Sequence, residues 1–169
     1  HVAFLQAKGY LAATCDPCHT MGDSSRCAIA VGKLYRWARL RTHGIPAEVA
    51  SGAGLREKLY TGNPIAPQQL ATSIRTLLTH FENNGHPFVR VWLDSLMEQG
   101  DGLYAVLRAE PDRQVVYDSV VVRGTVRTSE RYLQACIGIE PGDLYNEALL
   151  NAVETRLKEL PFVTQKQRP

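Results

Sequence analysis

The sequence predicts an α+β fold built from a repeated unit of about 78 residues. Residues 67–107 show one long helical period followed by two alternating stretches, which is typical of a helix and a hairpin. Gly62 returns 80 residues on as Gly142, and the triplet Pro-Phe-Val at 87–89 returns at 161–163. Helices and strands occur together, and sequence motifs recur at a fixed spacing, which favours small α+β modules in series.

The long helix is expected over residues 67–84. Pro67 suits its first turn, where no backbone donor is needed. Gly85 and Pro87 end it, because glycine adopts the left-handed cap and proline cannot continue a helix. Apolar residues at helical spacing form the face expected to pack inward: Leu70, Ile74, Leu77, Leu78 and Phe81.

The hairpin that follows is expected to alternate between two faces. Residues 99–101 form its turn, and the returning strand carries Leu103, Ala105 and Leu107. The first strand, residues 88–96, divides into an inward and an outward set. The inward set is Val89, Val91 and Leu93, and the outward set is Phe88, Arg90, Trp92 and Asp94.

Before the long helix, the sequence predicts the last turns of a helix at 1–8 and a strand at 34–42. A hairpin of residues 11–20 and 26–31 closes around Gly22 and Asp23. Residues 46–59 read as a short helix that is interrupted near Ser51 and Gly52.

After the hairpin, a strongly β-branched strand is expected at 115–122. Thr128 or Ser129 caps a helix, Asn146 caps the next one, and residues 161–163 open a further strand. Glu154 and Lys158 are spaced for an ion pair on the second of these helices. The inward positions are Tyr132, Leu133, Cys136 and Ile137 in the first helix, and Leu149, Leu150, Val153, Leu157 and Leu160 in the second.

One complete unit therefore covers residues 33–111 in the order strand, helix, helix, strand, strand. Residues 1–32 read as the C-terminal part of a preceding repeat, and residues 112–169 as the N-terminal part of a further one. A three-stranded mixed sheet with two helices on one face buries a single apolar layer. We expect a piece of a longer repeat array.

The composition narrows the class of protein. A hydrophobic fraction of 44% is ordinary for a soluble globular domain, and no run of apolar residues is long enough to span a bilayer. The net charge of +2 is too small to indicate nucleic acid or a membrane surface as the partner. The basic stretch 33–41 reads as the solvated face of a strand, although Tyr35 and Trp37 between arginines also resemble a base-stacking surface.

The serial order of motifs resembles the POTRA (polypeptide-transport-associated) domain. The matching stretches are 83–88 at a helix–strand junction, the turn at 100–101, and 132–139, 141–146 and 161–163. The resemblance implies tandem β-α-α-β-β repeats in the periplasm, preceding a C-terminal membrane β-barrel of the same parent chain. Such repeats occur in BamA-like outer-membrane assembly proteins and in two-partner secretion transporters.

The resemblance also implies a non-catalytic scaffold. An unfolded outer-membrane β-barrel precursor would pair with an exposed sheet edge, and accessory assembly proteins would dock. In the family the second strand lies at that edge. The expected client-binding residues are therefore Phe88, Arg90, Trp92, Asp94 and Leu96. The alternative is that a neighbouring repeat or the twist of the strand covers them.

Cys15, Cys18 and His19 spell the haem c attachment signature, which gives a rival function as an electron carrier. The two thiols would bond the haem vinyl groups and the imidazole would ligate iron, with Met97 a conceivable opposite ligand. The motif falls where the repeat places a strand, whereas a haem c domain needs helices around the porphyrin. We therefore expect no cofactor.

Two other readings of these cysteines stay open. Cys15, Cys18, His19 and Cys27 could supply four zinc ligands, but alternation would scatter them over both faces. In a hairpin, a two-residue turn places Cys18 opposite Cys27 for a disulfide, and a three-residue turn places Cys15 opposite Ile29. The second register gives the better apolar face, so we expect Cys15 and Cys27 to be small core residues.

The sequence gives no positive reason to predict an enzyme. It contains no G-x-S-x-G, no phosphate-binding loop, and no histidine at motif spacing from a serine or cysteine. A generic protein-interaction module unrelated to secretion is the remaining alternative.

Overall fold

The computed structural model describes residues 1–121 and 129–160. The elements alternate between helices and strands along the chain. In order they are α1 (Val2–Ala7), β1 (Thr14–Cys15), β2 (His19–Met21), β3 (Ser24–Arg26), β4 (Ile29–Ala30), β5 (Arg36–His43), α2 (Ala47–Gly52), α3 (Glu57–Tyr60), α4 (Pro67–Glu82), β6 (Arg90–Gln99), β7 (Gly102–Glu110), α5 (Glu130–Ile137) and α6 (Glu147–Lys158).

The chain divides into two compact units. The first unit comprises His1–Leu77 and Val91–Ala109, and the second comprises Leu78–Arg90 and Glu110–Pro169. The predicted repeat boundaries, 1–32, 33–111 and 112–169, are a different kind of division, based on sequence recurrence. They stay a prediction.

The main sheet has three strands in the order β5-β7-β6. β5 runs parallel to β7, and β7 follows β6 across the turn at Gly100 and Asp101. With α2, α3 and α4, this gives the predicted α+β unit with a mixed sheet. The central strand β7 alternates, as predicted, and its inward residues are all buried: Leu103, Ala105, Leu107 and Ala109.

The core of the first unit lies between this sheet and the helices. α4 begins and ends where predicted to within two residues, and its buried face includes Leu70 and Leu77. Leu77 and Leu107 are completely buried. The one polar side chain among the buried described residues is Ser73, whose hydroxyl is hydrogen-bonded to that of Tyr60 at 3.2 Å. The predicted interruption of the preceding helix is confirmed, since α2 and α3 are separate.

The repeat predicted from sequence is visible in the backbone hydrogen bonds. A segment before each long helix pairs with the start of the preceding strand, giving bridges at Arg36–Pro64 and, 80 residues on, at Val116–Leu144. Three backbone hydrogen bonds recur with the same spacing. The bond from Ile65 N to Tyr35 O corresponds to that from Tyr145 N to Val115 O, and the bond from Trp37 N to Asn63 O corresponds to that from Tyr117 N to Asp143 O. The bond from Gly62 N to Trp37 O corresponds to that from Gly142 N to Tyr117 O.

Gly85 marks the junction between α4 and the next repeat. Its carbonyl accepts a hydrogen bond from the Val115 amide at 2.7 Å, and its φ is +87°. A Cβ at this position would lie 2.9 Å from Cγ of Gln114. The left-handed conformation favours glycine, because a Cβ is strained there. Gly9 has the same arrangement in the preceding repeat, since its φ is +99° and its carbonyl accepts a hydrogen bond from the Tyr35 amide at 2.9 Å.

A pair of asparagines completes this junction. Asn83 Oδ1 accepts a hydrogen bond from the Ala148 amide at 2.9 Å, and Asn146 Nδ2 donates to the Asn83 carbonyl at 3.2 Å. Asn146 also caps α6, as predicted, by accepting from the Leu149 amide at 3.0 Å. The first turn of α6 thus receives side-chain acceptors from two asparagines, which satisfies donors that have no partner inside the helix.

The remaining predictions for the second unit are mostly confirmed. Ser129 caps α5, Gly138 ends it with φ +71°, and Glu154 pairs with Lys158 at 2.6 Å. The small core of this unit contains Ile137, Ile139 and Val153. The inward assignment of Tyr132 is wrong, because its side chain is 47% exposed.

The strand predicted at 115–122 is not formed in its described part, residues 115–121, which has only the single bridge at Val116. β5 becomes a strand by pairing with β7, and among the described residues no such partner lies beside 115–121. β-branched composition favours a strand but cannot supply its hydrogen-bond partner. The strand predicted at 161–163 lies outside the described residues.

The N-terminal hairpin contains both registers considered above. β1 pairs with β4 so that Cys15 lies opposite Ile29, while β2 pairs with β3 in the two-residue-turn register around Gly22. Cys18 forms a disulfide with Cys27. The expectation that Cys15 and Cys27 are core residues is therefore wrong, since Cys15 is exposed and Cys27 is cross-linked. The connection from β1 to β2 has one residue more than the connection from β3 to β4, and this extra residue accommodates the shift between the two registers.

Candidate functional site

The two edge strands of the main sheet, β5 and β6, differ in what lies beside them. At the β5 end, Trp37 exchanges backbone hydrogen bonds with Gly62 and Asn63, and the Ile65 amide donates to the Tyr35 carbonyl. This segment occupies the outer edge of β5 over its first residues. At the other end lies β6, and the part of the chain described by the structure places no further strand beyond it. β6 is therefore the terminal strand on this side of the sheet, and a terminal strand has one row of backbone groups outside the sheet's own ladder.

The predicted site residues lie on and just before β6. Phe88 precedes the strand and is 60% exposed, Trp92 is 37% exposed, and Leu96 is 59% exposed. Of the three residues predicted to point inward, Val89 is buried and Val91 packs against the core, but the inward assignment of Leu93 is wrong, because it is 37% exposed. The strand begins at Arg90 rather than at Phe88. The edge thus presents several large apolar side chains to solvent, as expected for an interaction surface.

Ser95 lies inside β6 but has a left-handed backbone, and we assign it as a β-bulge from this geometry, a feature that sequence alternation missed. Ser95 has φ +52°, the one positive φ at a non-glycine residue among the described residues, and its amide donates to Asp94 Oδ1 at 2.8 Å. An extra residue in an edge strand reverses the alternation beyond it. No signal in the sequence marks the bulge, since serine at an exposed position is compatible with either face.

The side chains on the outer face of the sheet confirm this reversal. Before the bulge, Arg90 Nη2 lies 2.6 Å from Glu110 Oε2, and Asp94 Oδ2 lies 3.1 Å from Arg108 Nε. After the bulge, Met97 joins the same face. It lines a shallow hollow together with Arg39, Arg41, Ser95, Tyr104, Ala105 and Val106. The outer face therefore carries even-numbered residues up to Asp94 and odd-numbered ones from Met97.

The charged groups around the edge are paired but exposed. The Arg90–Glu110 pair stands largely in solvent, so it contributes little to stability and can rearrange on binding, whereas the Arg108–Asp94 pair is partly buried. At the turn end of β6, Lys33 binds the Glu98 carboxylate and donates to the Gly100 carbonyl at 2.8 Å. The hydrogen bond to Glu98 raises the pKa of Lys33 above its ordinary value.

A second polar cluster lies in the second unit, around Tyr145. The Tyr145 hydroxyl donates to the Glu147 carboxylate, and the Tyr117 ring lies 5.8 Å away. Burial, followed by the hydrogen bond to Glu147, raises the pKa of Tyr145 well above its usual range. Tyr145 remains a neutral donor, and its position beside Asn146 assigns it to the junction with α4 rather than to chemistry.

The structure does not assemble the cysteine sites considered from sequence. The Cys18 thiol that haem attachment requires is bonded to Cys27, and His19 lies on β2 opposite Arg26. Within residues 1–121 and 129–160, no three histidine, cysteine or carboxylate side chains come close enough to hold a metal ion. The base-stacking reading of 33–41 fails as well, because Trp37 is buried.

Across the helices that the structure describes, none has the length and apolar character needed to cross a membrane.

Comparison with known proteins shows what this arrangement is similar to. Residues 115–165 match the POTRA family, described as a surface antigen variable number repeat. The structure of POTRA3-5 of BamA from Haemophilus influenzae superposes with a TM-score of 0.64 at 15% identity, covering 96% of this chain and 67% of that one. This likeness shows the fold. No curated protein matches the sequence.

Two cyanobacterial structures also match. POTRA1-3 of Omp85 from Anabaena has a TM-score of 0.45 at 14% identity, covering 92% of this chain and 65% of that one. The N-terminal domain of Omp85 from Thermosynechococcus elongatus has a TM-score of 0.42 at 16% identity, covering 93% and 68%.

Proposed function

We propose that this chain, built of POTRA repeats, is a non-catalytic periplasmic scaffold of an outer-membrane protein assembly or translocation factor. Its clients are unfolded β-barrel precursors, which it receives by adding their strands to the edge of β6. The same parent chain would continue into a membrane β-barrel, and accessory assembly proteins would dock on the repeats. The fold shared with the BamA periplasmic repeats supports this assignment.

The observation that carries the proposal is the asymmetry of the sheet. The β5 edge is occupied by the segment around Gly62 and Asn63, and β6 is the terminal strand at the other end. Strand addition relies on main-chain hydrogen bonds, which carry no side-chain code. An edge of this kind suits a receptor that must accept many different barrel strands.

The bulge at Ser95 limits the length of the added strand. A straight partner strand cannot keep its ladder through a bulge, because the spacing of donors and acceptors changes there. The regular part of the edge is therefore Arg90–Asp94, and a bound client would pair over about five residues. Such a short ladder favours weak, reversible capture, which a relay of clients requires.

The side chains near this segment would tune the binding. Phe88 and Trp92 offer apolar contact at the edge, and Arg90 and Asp94 offer exchangeable ion pairs. A barrel strand alternates apolar and polar residues, and the face of the added strand on the outer side of the sheet would meet both sets. Binding is expected to tolerate sequence changes that preserve the alternation.

A backbone-modified peptide tests the proposal. A fluorescent alternating-apolar peptide should bind the chain weakly, and the same peptide with its central amides N-methylated should bind at least about tenfold less, which is about 1.4 kcal/mol. N-methylation removes the donors of the ladder and leaves the side chains in place. Fluorescence anisotropy measures both. Equal affinity for the two peptides would contradict strand addition and indicate recognition through side chains.

A further inference from the structure

Three cysteines lie together on the N-terminal hairpin, and only two of them are cross-linked. Cys18 and Cys27 form the disulfide, with Cα atoms 4.3 Å apart. Cys15 is a free, exposed thiol three residues before Cys18. Cys18 and Cys27 are also exposed, so the disulfide is accessible to attack. An exposed disulfide with a thiolate within reach is the arrangement in which exchange proceeds.

We propose that these residues form an intramolecular thiol–disulfide exchange site. The Cys15 thiolate attacks Sγ of Cys18, the Cys18–Cys27 bond breaks, and Cys27 leaves as the thiolate. The product has a Cys15–Cys18 disulfide and a free Cys27, which takes up the proton that Cys15 lost. The number of disulfides and thiols is unchanged, so the step needs no external oxidant or reductant.

The backbone between the two cysteines permits this approach. Residues 16–18 belong to no strand, and they contain the register shift between the β1–β4 and β2–β3 pairings. Pro17 has no backbone donor, so the one backbone hydrogen bond donated between the two cysteines is that of the Asp16 amide to the Ala28 carbonyl, at 2.9 Å. A disulfide requires Cα atoms about 4.4–6.8 Å apart, and the exchange would break this single bond to bring Cys15 and Cys18 together.

The exchange would alter the hairpin. The Cys18–Cys27 bond joins the ends of β2 and β3 and holds them in the two-residue-turn register. A Cys15–Cys18 bond lies within the N-terminal arm of the hairpin and leaves its two arms without a cross-link. Cys27 would then be an exposed thiol beside β4, available to a protein thiol or disulfide in an oxidising compartment. The exchange would thus determine whether the two arms of this hairpin are cross-linked.

Tryptic peptides distinguish the two states. Cleavage after Lys8, Arg26 and Lys33 places Cys15 and Cys18 in peptide 9–26 and Cys27 in peptide 27–33. The oxidised full chain, in a Cys136→Ser background, is held at about pH 6 or about pH 8.5, alkylated and digested. The rate at which alkylated Cys27 appears together with an internally cross-linked peptide 9–26 should rise at least about tenfold at the higher pH, because the thiolate is the attacking species.

Cys15→Ser provides the matched control. This exposed substitution removes the attacking group and keeps the Cys18–Cys27 bond, so Cys27 should stay protected at both pH values. The rate in the parent should not change on about tenfold dilution, as expected for an intramolecular step. Protection of Cys27 in the parent at high pH, equal labelling of Cys27 in the Cys15→Ser chain, or a rate that falls on dilution would each overturn the proposal.

Discussion

Replacement of Gly44 by alanine should lower the free energy of unfolding by roughly 3 kcal/mol or more. Gly44 follows β5 with φ +72°, and a Cβ there would lie 2.2 Å from the carbonyl oxygen of Ala109. That oxygen belongs to the backbone of the central strand β7, which cannot move aside without disturbing the sheet. Left-handed strain and a backbone clash therefore act together. Chemical denaturation followed by the fluorescence of buried Trp37 measures the loss.

Gly62→Ala isolates the contribution of the clash. Gly62 has nearly the same φ, +78°, but nothing lies within 4 Å of the added Cβ. The cost should be limited to the left-handed conformation, about 1–2 kcal/mol. If Gly44→Ala proved no more destabilising than Gly62→Ala, the close approach of Gly44 to β7 would be wrong.

Leu107→Ala should destabilise the chain by about 2–5 kcal/mol. Leu107 lies on β7 between the sheet and the helices and is completely buried. Truncation removes its apolar contacts and leaves a cavity that the surrounding rigid strands fill only partly. Equilibrium unfolding by denaturant, with the same slope in parent and variant, measures the change in stability.

Leu96→Ala makes the same chemical change on the same sheet at an exposed position. Leu96 is 59% exposed, so its truncation should change stability by less than about 0.5 kcal/mol. Comparable losses for both variants would mean that β7 does not pack in the core as described.

Much of the fold could be predicted from sequence because its signals are local and repeated. The apolar stripe of α4 and the caps at Ser129 and Asn146 depend on neighbours within a few residues. The recurrence of Gly62 as Gly142 predicted a shared structure, and the matching backbone hydrogen bonds account for it. The order of strands followed from the resemblance to a family, not from periodicity.

The errors concern features that depend on distant partners. Residues 115–121 have the composition of a strand, but a strand forms only where a second one pairs with it. The bulge at Ser95 and the change of register in the N-terminal hairpin each shift the alternation of side chains by one residue. No residue type in the sequence indicates where such a shift occurs. The exposed positions of Cys15 and Tyr132 were missed for a related reason. Periodicity indicates which side chains share a face, but not whether another element packs against that face.

The candidate site was located by family resemblance and refined by structure. Sequence reasoning supplied the strand and its exposed aromatic residues, Phe88 and Trp92. The covered edge of β5 and the interruption at Ser95 emerged only from the backbone geometry. The proposed choice of edge and the proposed length of the bound strand depend on these two features.

Amide chemical-shift mapping with an alternating-apolar peptide tests the central claim most directly. The backbone amides of Arg90–Asp94 should shift first, because the added strand pairs with this regular part of the edge. Amides beyond Ser95 should respond less. Shifts gathered on α4, Pro67–Glu82, would mean that the helix surface is the receptor and would contradict strand addition at β6.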